Sequence, residues 1–211
     1  QSSIVEKHLL KRIKKNVEPK LANFVGRYIW EIDLDDVLAS VMSDHRVDKV
    51  HLHRRFPNRL SLEIKPHKPL SLLMGFKGEL YPVVNDGSLL PALSSREALD
   101  LPILRGANFH RDEALRKKAI DMLVQLPKEG LFSRNTISEV SYQQKYGFVF
   151  NLVGVGEAVR LGRNDFSHKA KLVEKVLHYL SSEQLKGKIV DARFIKKVVV
   201  RLQKDDKVSA D

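Results

Sequence analysis

Cysteine is absent from the 211 residues. That excludes disulfides, cysteine nucleophiles, thiolate zinc sites and iron-sulfur clusters, and leaves the redox compartment open. No run approaches the roughly 18 to 20 consecutive apolar residues of a membrane span, the richest being Phe148 to Val155. Absent too are G-x-S-x-G, G-x-x-x-x-G-K-[ST], H-E-x-x-H and an EF-hand loop, so the common hydrolase, phosphate-loop, zincin and calcium chemistries lack their cue. An enzyme is not indicated, and no cofactor is expected. The chain opens at Gln1-Ser2-Ser3 without an initiating Met or a signal-peptide pattern. It reads as a processed or excised product whose targeting or anchoring segment lay upstream.

What is present is the composition of a folded protein, 43% hydrophobic and 30% charged, long enough for one large domain or two small ones. Lysine and arginine number 37 against 26 acidic residues, a net charge of +11 that favours an anionic partner: nucleic acid, an acidic membrane face or an acidic protein. The cations are spread along the chain, with clusters at Lys7 to Lys15, Arg54 to Arg59, Arg116 to Lys118, Lys169 to Lys175 and Arg193 to Lys204. No aromatics interleave with them in a nucleic-acid-binding motif.

Ile4, Leu9, Leu10, Ile13 and Val17 recur at helical spacing and stop before Pro19, which predicts a basic amphipathic helix over 4–17. Asp33 can cap a second helix, in which Val37, Leu38, Val41 and Met42 form one buried face ending near Asp44. Val50 and Leu52, then Leu60, Leu62 and Ile64, alternate on either side of Pro57-Asn58 as a β-hairpin. Helix, helix, strand, strand makes a small α+β module that ends at Pro66 and Pro69. A second module then begins with strands at 71–74 and 79–84 around the Asn85-Asp86-Gly87 turn.

Next come the short apolar segment Leu101 to Gly106 and a helical stripe from Ala114 to Leu126. Three strands in hairpin order follow, carrying Ile137, Val140 and Tyr142, then Phe148, Phe150 and Leu152, then Val159 and Leu161, with turns near Tyr146-Gly147 and Gly154-Val155-Gly156. Ser167 can cap a helix bearing Leu172, Val173, Val176, Leu177 and Leu180, and strands over 189–194 and 197–202 precede a charged, mobile tail from Lys204 to Asp211.

The local chemistry is sparse. Gly154-Val-Gly156-Glu-Ala-Val159 starts like a dinucleotide fingerprint, but a strand rather than a helix follows, so it reads as a turn. His51 and His53 share one strand face near His45 and His67; without a well-spaced carboxylate they read as a polar row rather than a metal site. Asp35-Asp36 suits a helix start and Asp205-Asp206 a solvated tail. The run from Lys196 to Leu202 is strongly β-prone and close to the end of the fold. Such a strand readily forms a sheet edge, which its cations would either protect or use in selecting an acidic partner strand.

The order Gly26-Arg-Tyr-Ile-Trp30-Glu-Ile-Asp-Leu34, Val47-Asp-Lys-Val50, Arg55-Phe56-Pro57-Asn58-Arg59-Leu60, and Pro69 resembles the POTRA domain of the bacterial FtsQ (DivIB) family. The later segments Tyr81-Pro-Val-Val-Asn-Asp-Gly87, Leu101-Pro102, Val159-Arg-Leu-Gly162-Arg-Asn-Asp165, Ile189-Val-Asp191-Ala-Arg193-Phe194 and Val198 to Arg201 are similar to the β-domain that follows it in that family. Each segment is short, and their shared order from about residue 4 to 202 makes the resemblance specific. Two departures stand out: Pro66 replaces the family's usual acidic residue before Pro69, and the first POTRA strand has little room before Ile4.

The resemblance implies an α+β fold with a POTRA domain at 1–69, a mixed β-domain at 70–203 ending in an edge strand, and a tail at 204–211. It implies a non-enzymatic divisome scaffold at the division septum: the periplasmic portion of a single-pass inner-membrane protein, anchored by an upstream transmembrane helix. Its partners would be FtsB and FtsL, with other divisome proteins reached through the POTRA domain, and the pair would link it to septal peptidoglycan synthesis. Carried over by position, partner binding falls on Arg193, Phe194, Lys196, Lys197, Val198, Val199, Val200, Arg201 and Leu202. Arg193 would pair with an acidic residue, Phe194 would be an apolar anchor, and the strand edge would supply the hydrogen-bonding template. Two other readings stay open: a POTRA-bearing, chaperone-like component of outer-membrane protein assembly or secretion, and a basic nucleic-acid binder whose affinity would fall steeply with salt.

Overall fold

Residues 2–93, 99–153, 158–194 and 197–203 are described by a computed structural model. The chain divides into two units, Gln1–Pro69 and Leu70–Asp211.

In the first unit, α1 (Ser2–Leu21) is followed by a 3-10 turn (Ala22–Phe24), α2 (Leu34–Met42) and the antiparallel pair β1 (Val47–Arg55) and β2 (Arg59–Pro66). Leu9, Ile13 and Val17 are the buried stripe of α1. The helix does not stop before Pro19 but carries it in its last turns. Proline there costs one hydrogen bond, to the carbonyl of Lys15, a residue that lies exposed to water; packing of Ile13, Val17 and Leu21 against Leu62 and Ile64 outweighs the loss. Asp33 caps α2 as its position suggests, its carboxylate accepting the Asp35 N–H at 2.8 Å. Val37 and Val41 are buried, whereas Leu38 and Met42 are 36% and 44% exposed, so the buried face is narrower than the apolar pattern. Val50 opposes Ile64 and Leu52 opposes Leu62 across the hairpin, which puts the apolar set on one face.

The second unit runs β3 (Ser71–Met74), β4 (Leu80–Val83), β5 (Ile103–Arg105), α3 (Ala107–Arg111), α4 (Glu113–Gln125), β6 (Ile137–Gln143), β7 (Gly147–Leu152), β8 (Ala158–Gly162), α5 (Phe166–Ser182), β9 (Gly187–Asp191) and β10 (Val199–Leu202). Among the described residues the strands form one mixed sheet in the order β10-β9-β8-β7-β6-β5-β3-β4. The β6-β7-β8 meander is antiparallel, as the turn spacing predicts. The joins β3 to β5, β5 to β6 and β8 to β9 are parallel.

Leu104, Val140, Phe148, Phe150, Val159, Leu161 and Val190 from the sheet meet Ile120, Leu123, Ala170, Val173 and Leu177 from α4 and α5 in one core. Phe132 meets Phe150, and Phe148 meets Phe166, edge to face. The Asn85–Gly87 turn closes with Val84 and Gly87 hydrogen-bonded locally, and a side chain at Gly87 would lie 2.7 Å from the Lys117 nitrogen of α4. Two expectations change here. Helix α5 starts at Phe166, after Asp165 in a left-handed conformation, so Ser167 lies inside the helix rather than capping it. Arg116 belongs to no surface cluster: it is buried and donates to the carbonyls of Gly87 (2.6 Å) and Phe109 (2.8 Å). Residues 154–157, Lys196 and the tail from Lys204, for which a turn, a partner contact and mobility are expected, lie outside the described residues.

Candidate functional site: an edge strand beside a cation-aromatic cluster

The two edges of the large sheet are treated differently. At β4 the chain turns back on itself: Leu90 and Leu93 donate their N–H groups to the carbonyls of Pro82 and Leu80, and Val83 bridges Leu89. That edge is occupied by its own chain. At the other edge, among the described residues, β10 pairs with β9 alone, Val199 opposite Asp191, Val200 opposite Val190 and Arg201 opposite Ile189. Gln203 donates to the Lys186 carbonyl at 2.9 Å. Because antiparallel partners alternate, Arg201 and Val199 then turn their backbone groups toward β9, and Leu202 and Val200 turn theirs outward. Val198 and Val200 pack against the core, whereas Val199, 48% exposed, stands on the open face with Arg201.

The regular strand is shorter than the run of residues assigned to it. Lys197 and Val198 precede its first paired residue, and Arg193 and Phe194 lie in the connection after β9. That connection is built by an ion pair at Asp191. The Arg193 Nε and Nη2 atoms donate to the two Asp191 oxygens at 2.8 and 2.7 Å, and the Arg193 backbone N–H adds a bond at 3.2 Å. Burial alone would raise the Asp191 carboxyl, but these hydrogen bonds, with the charges of Arg193 and Arg160, hold it below the usual carboxylate range. The Asp191 hydrogen bond raises the Arg193 guanidinium in turn, against its own burial.

The third Arg193 nitrogen, Nη1, donates to the Lys145 carbonyl at 3.2 Å, which ties the end of β9 to the β6–β7 turn. Tyr146 of that turn lies under two guanidinium groups, Arg160 at 3.8 Å and Arg193 at 4.8 Å from its ring centre. Arg163 donates to the Gln144 carbonyl of the same turn. Phe194 is 43% exposed, with Arg193 and Lys197 over its ring. The result is a surface of Arg160, Arg163, Arg193, Lys197 and two aromatic rings, with Asp191 as the carboxylate at its centre, alongside the open edge.

Of the expected residues, the structure therefore brings Arg193, Phe194, Lys197, Val199 and Arg201 to one surface and turns Val198 and Val200 inward. It also alters the part given to Arg193, whose Nε, Nη1 and Nη2 donate to Asp191 and Lys145, so it organises the cluster more than it offers a free fork. Tyr146, Arg160 and Asp191 are not among the residues expected to bind a partner. Asp191 and Arg193, two residues apart at a strand end, carried a local signal for the ion pair; Tyr146 and Arg160 meet only through the strand pairing.

A family model for the C-terminal part of cell division protein FtsQ/DivIB matches residues 74–193 of this chain. The chain belongs to the FtsQ/DivIB family. Cell division protein FtsQ of Geobacter sp. (strain M21) is 26% identical over 206 residues, covering 93% of this chain and 74% of the relative. FtsQ of Geotalea daltonii is 25% identical over 163 residues, and the match spans 58% of that protein. DivIB of Solibacillus silvestris is 23% identical over 167 residues, 56% of its length. Family membership places the chain among bacterial cell-division proteins and implies a membrane-anchored one. Among the described residues no helix is long and apolar enough to cross a membrane. The matched region ends at Arg193, inside the ion-paired cluster and just before the edge strand.

Proposed function

We propose that this chain is the periplasmic portion of a single-pass inner-membrane scaffold of the divisome, without catalytic activity, that binds the FtsB/FtsL pair by strand addition at β10. Through that pair it connects division at the septum to peptidoglycan synthesis. The carrying observation is the unequal sheet edge: β4 is covered by residues 88–93, and among the described residues β10 pairs with β9 alone, beside the Arg160, Tyr146 and Arg193 cluster. An incoming strand would take up the outward backbone groups of Val200 and Leu202. Its acidic side chains would meet Arg201 and Lys197, and an apolar one would meet Phe194. The first unit is read as the POTRA domain, on the helix-helix-strand-strand order of α1, α2, β1 and β2, with a part in localisation and in contacts with other divisome proteins.

The test is calorimetric titration of the chain with the periplasmic parts of its cognate FtsB and FtsL, beside Leu202→Pro. Proline removes an outward donor at an edge position, and its ring fills the space of the incoming carbonyl, leaving the β9 ladder intact. One lost edge hydrogen bond contributes about 0.5–1.5 kcal/mol, and the ring adds a clash, so binding should weaken by about tenfold or more. Equal binding by parent and folded variant would exclude strand addition at this edge.

A further inference from the structure

A second surface lies in the first unit, unrelated to the edge strand. Between the 3-10 turn and α2 the chain makes a tight turn, with Glu31 donating its N–H to the Tyr28 carbonyl at 3.0 Å. Ile29 and Ile32 are buried and pin this loop to the unit. Their neighbours Tyr28 and Trp30 consequently project outward, 64% and 67% exposed, with rings stacked at 5.0 Å and nearly parallel. Arg54 at the end of β1 donates to the Ile32 carbonyl at 2.6 Å, which brings the tip of the β1–β2 hairpin to the same loop. That tip carries Phe56, 77% exposed, between exposed Arg55 and Arg59.

Stacked Tyr28 and Trp30, exposed Phe56 and the arginines at 54, 55 and 59 thus make a protruding surface of rings and guanidinium groups. Glu31 and Asp33 are exposed acidic side chains of the loop, with the Asp33 carboxylate turned to the Asp35 N–H as the cap of α2, and exposed Asp35 and Asp36 follow in the first turn of α2, so the cations offered to an anionic surface are those of the hairpin tip. Rings this exposed are costly in water. Tryptophan and tyrosine favour the boundary between lipid headgroups and acyl chains, and arginine favours anionic headgroups. We propose that this surface seats the first unit on a lipid bilayer that contains anionic lipid, the Tyr28-Trp30 pair and Phe56 entering the headgroup layer and the hairpin arginines meeting phosphate. Membrane anchoring of the family keeps a bilayer close by, so weak attachment suffices. The proposal is independent of the FtsB/FtsL reading.

Trp30 is the only tryptophan in the sequence, which makes it a site-specific reporter. The whole chain is mixed with vesicles of phosphatidylcholine alone or with about 30% phosphatidylglycerol, whose negative surface potential attracts basic segments. The expected result is a blue shift of Trp30 emission and its quenching by brominated acyl chains with the anionic vesicles only. Phe56→Ala and Arg55→Gln/Arg59→Gln should each lower co-sedimentation at least fivefold, with unchanged circular dichroism and unchanged FtsB/FtsL binding. Sedimentation without any change at Trp30 would mean attachment through another basic surface and would overturn the proposal. So would no sedimentation at all, which would leave the surface to a protein partner. The quenching measurement uses the unaltered protein, so the test stands even where a variant folds poorly.

Discussion

Gly147 and Gly162 offer a paired test of how the Tyr146 turn is held over the sheet. Both have positive φ, +71° and +88°, and they are register partners where β7 leaves the turn and β8 ends. A Cβ added at Gly147 would stand 2.9 Å from the Gly162 Cα and closer still to its carbonyl, a backbone obstacle that no rotamer change relieves. A Cβ at Gly162 would meet its nearest atom, the Lys169 Nζ, at 3.4 Å, with Arg193 atoms beyond 3.5 Å. The left-handed conformation costs a non-glycine residue about 1–2 kcal/mol at either position. Gly147→Ala must in addition move packed backbone, about 1–3 kcal/mol, for a total of about 2–5 kcal/mol. At about 3 °C per kcal/mol for a unit of this size, the midpoint of thermal unfolding should fall by about 6–15 °C for Gly147→Ala and about 3–6 °C for Gly162→Ala. Circular dichroism melts measure both. Equal shifts, or a smaller shift for Gly147→Ala, would refute the close backbone approach. The same approach aims Tyr146 between Arg160 and Arg193, so on the proposed reading Gly147→Ala should also weaken FtsB/FtsL binding more than Gly162→Ala does.

Asp191 titrates lower in the folded chain than in the unfolded one, where an aspartate sits at about 3.9, so its ion pair contributes fully above that pH and is lost as pH falls through the folded value. Asp191→Asn should therefore lower the melting midpoint at pH 7 and flatten the decline of stability in acid, measured by melts from pH 7 to pH 2; a parallel decline in both proteins would contradict the assignment. Arg116→Met should cost about 3 kcal/mol in urea unfolding, because it strips the buried carbonyls of Gly87 and Phe109 of their donor. Asp112→Ala should cost about 1 kcal/mol, since the Asp112 carboxylate accepts the Leu115 N–H at 2.8 Å as the cap of α4. A loss below a few tenths of a kcal/mol in either variant would contradict the role given to that side chain.

The parts of the fold open to sequence reading are those with strong local period. Val140, Phe148, Phe150 and Val159 alternate along a meander with short turns, and Asp33 precedes its helix at capping distance. Features set by distant partners were not open in this way. Helix α3, five residues long, follows Gly106 at φ +123° and is held by burial of Phe109, and neither signal extends over enough residues to make a pattern. The three residues of β5 lie in parallel between β3 and β6, a placement fixed by pairing across tens of residues rather than by their own composition. The cluster at the candidate site has the same origin. Arg160 reaches Asp191 only because the crossover through α5 lays β9 parallel to β8 in that register. The last strand was legible as β-prone and cationic, while the facing of its valines follows from the β9 pairing and the core beneath.

An edge that serves a partner, as proposed for β10, must also refuse copies of itself, and the residues around β10 suit both demands. Arg201 on the strand and Lys197 just before it would bring like charges together if two such edges paired, which disfavours self-association. The same cations favour an incoming strand that carries carboxylates. Asp191 is what keeps this concentration of positive charge compatible with a folded surface: it accepts two of the three Arg193 nitrogens and fixes the guanidinium over Tyr146 instead of leaving it to solvent. Opposition of like charges between copies and attraction to an acidic strand thus come from one arrangement, and changing a single cation should move both together. Arg201→Glu should weaken FtsB/FtsL binding and at the same time raise the tendency of the chain to self-associate, which sedimentation velocity measures; weaker partner binding with unchanged self-association would separate the two roles and assign the edge protection to Lys197 instead.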